Sequence, residues 1–377
     1  MRTSRTARLI DVAKAAGVSL GAASTVINGG KTSIQVGEES RRRILEAARQ
    51  LKYRPNLTAR ALSGKSTRLI GIVNAVISQY SSAVFVNHIL SIAANYDYHT
   101  LLDIVHVGNH VIFDKGVEGL ENLLARHPDG LIFMGIPDQE VMKHTTVPNV
   151  TIGFKDNRHS DFSFDLEAGG YMAGLHLAKH GRRRVLFICT SQDANKEKLF
   201  GLRRAWQESG FAPDAVVVIE RVLNDIYGVE DLILREIENG ADAAFCSNDF
   251  LAARLLAFLH DRKIHVPQEI AVIGFDGDIF SSIITPSLTT VVQPFQECAE
   301  RAVKLLIERI EGKESGRKRR KNIKLLPGFF TGQSCGCETG VLPIAGWSRD
   351  MLFLEEFFGK RISKYEDFIL QHQMKKE

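Results

Sequence analysis

Residues 9–28 of this chain hold the side chains best placed for recognition chemistry. Ser19, Ser24, Thr25 and Asn28 carry hydroxyl or amide groups at helical spacing, and Leu20, Gly21 and Ala22 carry none. Such a set suits hydrogen bonds to phosphates and base edges, with apolar contact to thymine methyls. It lacks the arginine fork that reads guanine bidentately. Catalytic patterns are absent by comparison. The apolar run at 69–73 is followed by NAVISQYSSAVF, which has no glycine-rich pyrophosphate turn, and no phosphate loop ending in GK[ST] occurs. The 12 histidines look scattered, with no serine, histidine and acid set at motif spacing, so the chain is not expected to be an enzyme. Cys335-Gly336-Cys337 has one intervening residue and no second cysteine pair accompanies it. No metal centre and no cofactor are therefore expected. The odd count of 5 cysteines points to reduced thiols.

The elements that must position these groups follow from local pattern. Residues 10–16 read as a short helix broken by Gly17, which suits a turn at positive φ. Ser19 can cap a second helix over 20–28. Ala13 is small where two helices must cross, and Val26 and Ile27 fall on the second helix's inner side. Helix, short turn and helix make a helix-turn-helix, whose second helix can enter a major groove. A third helix begins near Glu38 and Glu39, with Ile44, Leu45, Ala48 and Leu51 as its apolar stripe. Arg41, Arg42 and Arg43 remain for phosphates. Residues 1–68 hold 14 lysines and arginines against 4 acidic residues, a net of +10, although the whole chain carries only +4. A basic module on an acidic remainder suits a polyanion partner or a solvated basic arm; charge alone does not choose.

The strings DVAKAAGVS, YRPN (53–56), ARALSGKST and LIGIV occur in this order, and together the chain resembles the lactose-repressor (LacI/GalR) family from about residue 9 to about residue 335. The resemblance implies a sequence-specific, DNA-binding transcription regulator, more often a repressor than an activator. It implies a hinge after Asn56 that folds on operator DNA. Leu62 would wedge into the minor groove, with Ala59 three residues earlier on the same face. Without the resemblance this stretch reads as a flexible linker. Thr25 stands where the family often has arginine, and the loop 29–37 is longer than usual.

From residue 69 onward apolar runs alternate with helical patterns. Strands are expected at 69–73, 100–104, 130–133 and 150–153, with helices at 84–96 and 116–125. A second set has strands at 185–189, 216–219, 243–246 and 270–274, with helices at 199–208, 229–239 and 250–261. Two successive sets predict two α/β lobes of parallel sheet flanked by helices, with a ligand cleft at the strands' carboxyl ends. The family resemblance extends through DLEAGGYMAGLHLAKHG (165–181), NDFLAA (248–253), VPQEIAVIGFDG (266–277) and PSLTTVVQP (286–294). It implies a periplasmic-binding-protein-like domain whose cleft holds a small-molecule effector such as a sugar. By position it assigns Asn248, Asp276 and Gln293 to that cleft, and Tyr80 and Ser81 from the first lobe. Lys196 falls where relatives carry an effector-clamping arginine, and Leu223 where an aromatic often stacks. Asn248 also reads as a helix cap, Asp276 as a turn residue and Lys196 as a solvated cation.

The expected organisation is an all-α headpiece at 1–55, a hinge at 56–68, a two-lobed effector-binding and dimerisation domain at 69–337, and a helical extension at 338–377. The basic run 316–321 reads as a solvated loop, with nonspecific DNA contact as the alternative. In the extension, Leu354, Phe357, Phe358, Ile362, Tyr365, Phe368 and Ile369 recur at helical spacing, begun by Trp347 and Met351. That stripe packs on its own domain or makes a higher oligomer. Partners are therefore operator DNA, an effector and a second copy, and no membrane. No apolar run reaches membrane-spanning length and residues 1–16 lack a secretory block, so the cytoplasm is the expected location.

Overall fold

The computed structural model describes residues 7–28, 35–54, 65–75, 80–104, 116–135, 137, 139–153, 160–190, 192–220, 226–313, 322–337, 362–364 and 367–369. The chain forms two compact units, residues 1–69 with 121–129, and the remainder.

The first unit contains α1 (Leu9–Ala16), α2 (Leu20–Asn28) and α3 (Glu38–Gln50). Gly17 ends α1 at φ 65°, the left-handed conformation that glycine adopts without a Cβ penalty, and its N–H reaches back to the last carbonyls of the helix. Ser19 Oγ then accepts the Ala22 N–H at 3.1 Å and starts α2. The turn between these two events sets α1 and α2 at 108°, within the usual helix-turn-helix range. Val12, Ala13, Ala16, Ala23, Ile44 and Ala47 form a small core, with Val26, Ile27 and Tyr53 packed on its edge. The expected stripe of α3 needs correction. Ile44 and Ala47 are buried, but Leu45 is 42% and Leu51 38% exposed. One residue is about 100° of helix, so Leu45 points past the core; Leu51 lies beyond the last helical turn. Nearer the second unit's sequence, the Asp129 carboxylate gathers Thr67 N, Thr67 Oγ1 and Arg68 N at 2.8–3.0 Å.

The second unit has two sheets. β1 (Leu69–Ala75), which opens it, is followed by α4 (Tyr80–Asn95), β2 (His99–Ile104), α5 (Gly116–Leu124), β3 (Gly130–Met134), α6 (Gln139–His144), β4 (Asn149–Gly153) and β5 (Phe162–Phe164). Next come α7 (Leu166–Lys179), β6 (Val185–Cys189), α8 (Gln192–Glu208), β7 (Val216–Glu220), α9 (Glu230–Glu238), β8 (Ala243–Cys246), α10 (Asp249–Asp261), β9 (Ala271–Asp276) and β10 (Thr289–Val292). Last are α11 (Phe295–Ile310), β11 (Ile323–Leu325), β12 (Gly328–Phe330) and β13 (Ile362–Ser363). The first sheet runs β11-β5-β4-β3-β1-β2 and the second β13-β12-β10-β9-β8-β6-β7. Strands β3, β6 and β8 are buried at every position, which is why they read as unbroken apolar runs rather than alternating ones.

Two features were not in the sequence reading. After β10 the chain returns to the first lobe: α11 packs on α4, β3 and β4, and β11 pairs with β5 in parallel. The buried stripe Cys298, Ala299, Ala302, Val303, Leu306 and Ile307 drives this return. The extension also departs from an all-helical one. Ile362 and Ser363 pair antiparallel with Phe330 and Phe329, and Phe368 is 1% exposed. Its ring centroid lies 4.5 Å from that of Phe329. In the described part, backbone pairing to an open sheet edge outweighs the helical spacing, and the stripe packs on its own domain. Leu354, Phe357, Phe358, Tyr365, Trp347 and Met351 lie outside the described residues, as do Asn56, Ala59, Leu62, Leu223 and 316–321.

Candidate nucleic-acid interface and ligand cleft

The face of α2 away from the small core is the candidate nucleic-acid surface. Ser19, Leu20 and Gly21 are exposed, and Ala22, Ser24 and Thr25 are half-buried. Leu20 is 49% exposed, a large apolar side chain that the headpiece core does not use. Thr25 Oγ1 donates to the Gly21 carbonyl at 2.9 Å, so its hydroxyl hydrogen is committed and its methyl and lone pairs are what it offers outward. Ser19 is partly spent as the cap of α2. Asn28 closes the helix. On α3, Arg42 is paired with Glu39 at 2.9 Å, while Arg41 and Arg43 are exposed.

The second candidate is a cavity of about 710 Å3 between the lobes of the second unit. Tyr80 and Ser81 line it from α4, and Asp276 and Gln293 from the ends of β9 and β10. Two contacts bridge the lobes here. The Ser81 side chain hydrogen-bonds Asp276, and Tyr80 meets Phe280 edge-on with centroids 6.0 Å apart. Asp276 sits at φ 113°, a conformation costly for a non-glycine residue and common at functional sites. Sequence reasoning missed His88, Glu297, Glu300, Arg301 and Lys324 on the same walls. They come from the middle of α4 and from the chain's return to the first lobe, for which no local motif exists.

Behind Asp276 lies a buried charge cluster. Burial pushes the Asp276 carboxyl up to about 6, against the pull of Lys198 and the Ser81 hydrogen bond. Burial, helped by Asp276, pushes Asp278 up to about 8. Asp249 is raised well above the carboxylate range by burial and by Asp278 and Asp276. It accepts from Gly277 N, Asp278 N and Thr290 Oγ1 at 2.9, 2.7 and 2.6 Å. Asp249 thereby braces the turn that carries Asp276.

Two expected residues need correction. Lys196 does not line the cavity and is exposed. The buried cation beside Asp276 is Lys198, which donates to the Ser247 carbonyl at 2.7 Å and lies 3.7 Å above the Phe275 ring. Two residues are about 200° around a helix, so a pattern match displaced by two picks the opposite face of α8. Asn248 is also absent from the lining. Its Oδ1 accepts the Leu251 N–H at 2.8 Å and caps α10.

Comparisons with known proteins come from both parts of the chain. Residues 8–56 match the profile of bacterial regulatory proteins of the lacI family, and residues 175–335 that of a periplasmic binding protein-like domain. The catabolite control protein A of Priestia megaterium is 30% identical over 309 residues, covering 79% of this chain and 91% of that protein. The HTH-type transcriptional repressor PurR of Aliivibrio salmonicida is 30% identical, covering 83% and 95%. Among solved structures, a lac repressor dimer bound to operator and an anti-inducer superposes with a TM-score of 0.72 at 22% identity, covering 88% of this chain and 99% of that one. A complex of the transcriptional regulator CelR with cellobiose gives 0.59 at 23% identity, covering 87% and 99%. At that identity the likeness of structures concerns the fold.

Proposed function

This chain belongs to the LacI family of bacterial regulatory proteins, which bind DNA and control transcription, and from that premise we propose that it acts as a cytoplasmic homodimeric repressor on a near-palindromic operator. The observation that carries this reading is the exposed face of α2, set at 108° to α1 with Leu20 left outside the headpiece core. One helix of this size touches few bases, and two copies on two half-sites supply the missing specificity. The net +10 of residues 1–68 supplies phosphate affinity, and Leu62 supplies the minor-groove wedge. The domain borders at 55, 68 and 337 remain those read from the sequence.

The cleft takes a small hydroxyl-rich effector. Supporting this are the Asp276 carboxylate, the Gln293 amide and the Ser81 hydroxyl on opposite walls of one cavity, together with the cellobiose bound by a structural relative. Because Ser81 and Asp276 bond across the lobes, a ligand inserted between them changes the balance of lobe arrangements and so of hinge order.

Selection of genomic fragments by the purified chain, followed by sequencing across a salt series, tests the reading. A palindromic site should emerge, bound less tightly as salt rises. Leu62→Ala should weaken that site much more than random DNA. No enriched sequence at any salt, with or without candidate sugars, would sink the proposal.

A further inference from the structure

We propose that His176, His180 and Cys337 bind one divalent metal ion of the zinc type. Nothing in the regulator's DNA or effector chemistry requires these residues. His176 and His180 stand one helical turn apart near the end of α7, with ring centroids 4.6 Å apart. The Nε2 atoms of both face the same sulfur: Cys337 Sγ lies 3.5 Å from His176 and 3.1 Å from His180. The three candidate ligand atoms lie within 4.8 Å of one another. Tetrahedral zinc holds imidazole nitrogen at about 2.0–2.1 Å and thiolate sulfur at about 2.3 Å, which separates such ligands by about 3.5 Å. The side chains therefore already stand at ligand spacing.

Two imidazole nitrogens from successive turns are aimed at one sulfur. Cys335, two residues before Cys337, is fully buried and turns its Sγ to the Gly332 carbonyl at 3.6 Å. Two imidazoles and one thiolate have the soft and borderline character that selects zinc over calcium or magnesium. The surroundings fit as well. Phe329 and Phe368 lie 4.8 and 6.2 Å from the His176 ring, which limits water on that side. Cys337 is partly exposed and His180 is exposed, which leaves an entry path. An ion here would tie the end of α7 to the turn at 332–337. It would act as a clamp on the second lobe.

Cysteine pairs alone give no sign of this site. Its other two ligands are histidines spaced four residues apart, more than 150 positions away in the chain.

The test is titration of the reduced full-length chain, carrying no polyhistidine tag, with cobalt(II) and then zinc(II). The expected result is one equivalent of cobalt giving the visible bands of tetrahedral coordination and a near-ultraviolet thiolate charge-transfer band, both discharged by zinc. Zinc should also raise Tm, since an ion held by the native state alone stabilises it. Cys337→Ser and His180→Gln should each lower cobalt affinity by more than about 100-fold, the upper end of what removing a mere outer partner costs. His180 is exposed, so His180→Gln reports on binding even if Cys337→Ser does not fold. Absence of a saturable cobalt spectrum, or full retention of it in folded His180→Gln, overturns the proposal.

Discussion

At the scale of single residues, the fate of Asp276 decides how the cleft works. Its carboxyl is raised from 3.8 to about 6, chiefly by burial. Between those values the folded chain holds a proton that the unfolded chain has released. This residue's contribution to stability is therefore fully present below about 4 and falls as pH rises through about 6. Asp276→Asn removes that dependence. In urea unfolding followed from pH 4 to 7 (about those limits, set by the same window), the stability of the parent chain should drop relative to the variant; a constant difference would mean that Asp276 is not desolvated in solution. A sugar hydroxyl donating to Asp276 favours the ionised form, so effector affinity is expected to rise over the same interval. Lys198 matters for the same reason: it is the buried cation that acts on this carboxylate.

At the scale of elements, the packing of α7 on α8 holds Lys198 in place. Gly170 and Gly201 let the two backbones meet: a Cβ on Gly170 would fall on the Lys198 carbonyl, and one on Gly201 on the Glu167 carbonyl. The obstacle is backbone in both cases, so no side chain can swing aside. Gly170→Ala should cost about 1–3 kcal/mol, the usual range for overpacking, read from the urea midpoint. It should also weaken effector binding, because relief of the clash moves Lys198 relative to Asp276. An unchanged midpoint would show that the crossing is looser than this geometry. Gly170 lies inside DLEAGGYMAGLHLAKHG and Gly201 in the middle of α8, where composition alone reads both as helix-weakening.

At the scale of the whole molecule, the proposed function joins the charge division to a homodimer: the basic headpiece would find DNA, and the second unit would bring two headpieces to one site. Adding about 5 base pairs between the half-sites turns one half-site to the opposite face of a duplex with about 10–10.5 base pairs per turn. Fluorescence anisotropy should then show affinity falling to the level of random DNA. Undiminished affinity would argue for one headpiece acting alone.

Much of this was legible from local pattern. The helix-turn-helix and the alternation of strand and helix depend on short-range rules: capping by Ser19, left-handed φ at Gly17, and apolar runs in strands buried on both faces; Asp276, Gln293, Tyr80 and Ser81 were placed at the cleft by the family resemblance. The cap formed by Asn248 was also readable from local pattern; tertiary structure alone decided which lysine lies buried beside Asp276, that α11 and β11 return to the first lobe, and that β13 closes a sheet edge. It also alone brought two histidines of α7 against Cys337. The physical reason is the range of the forces. Backbone hydrogen bonding and periodicity act over a few residues and leave a mark in the sequence. The meeting of groups far apart in the chain depends on how whole faces pack, and a displacement of one or two residues around a helix exchanges a buried side chain for an exposed one.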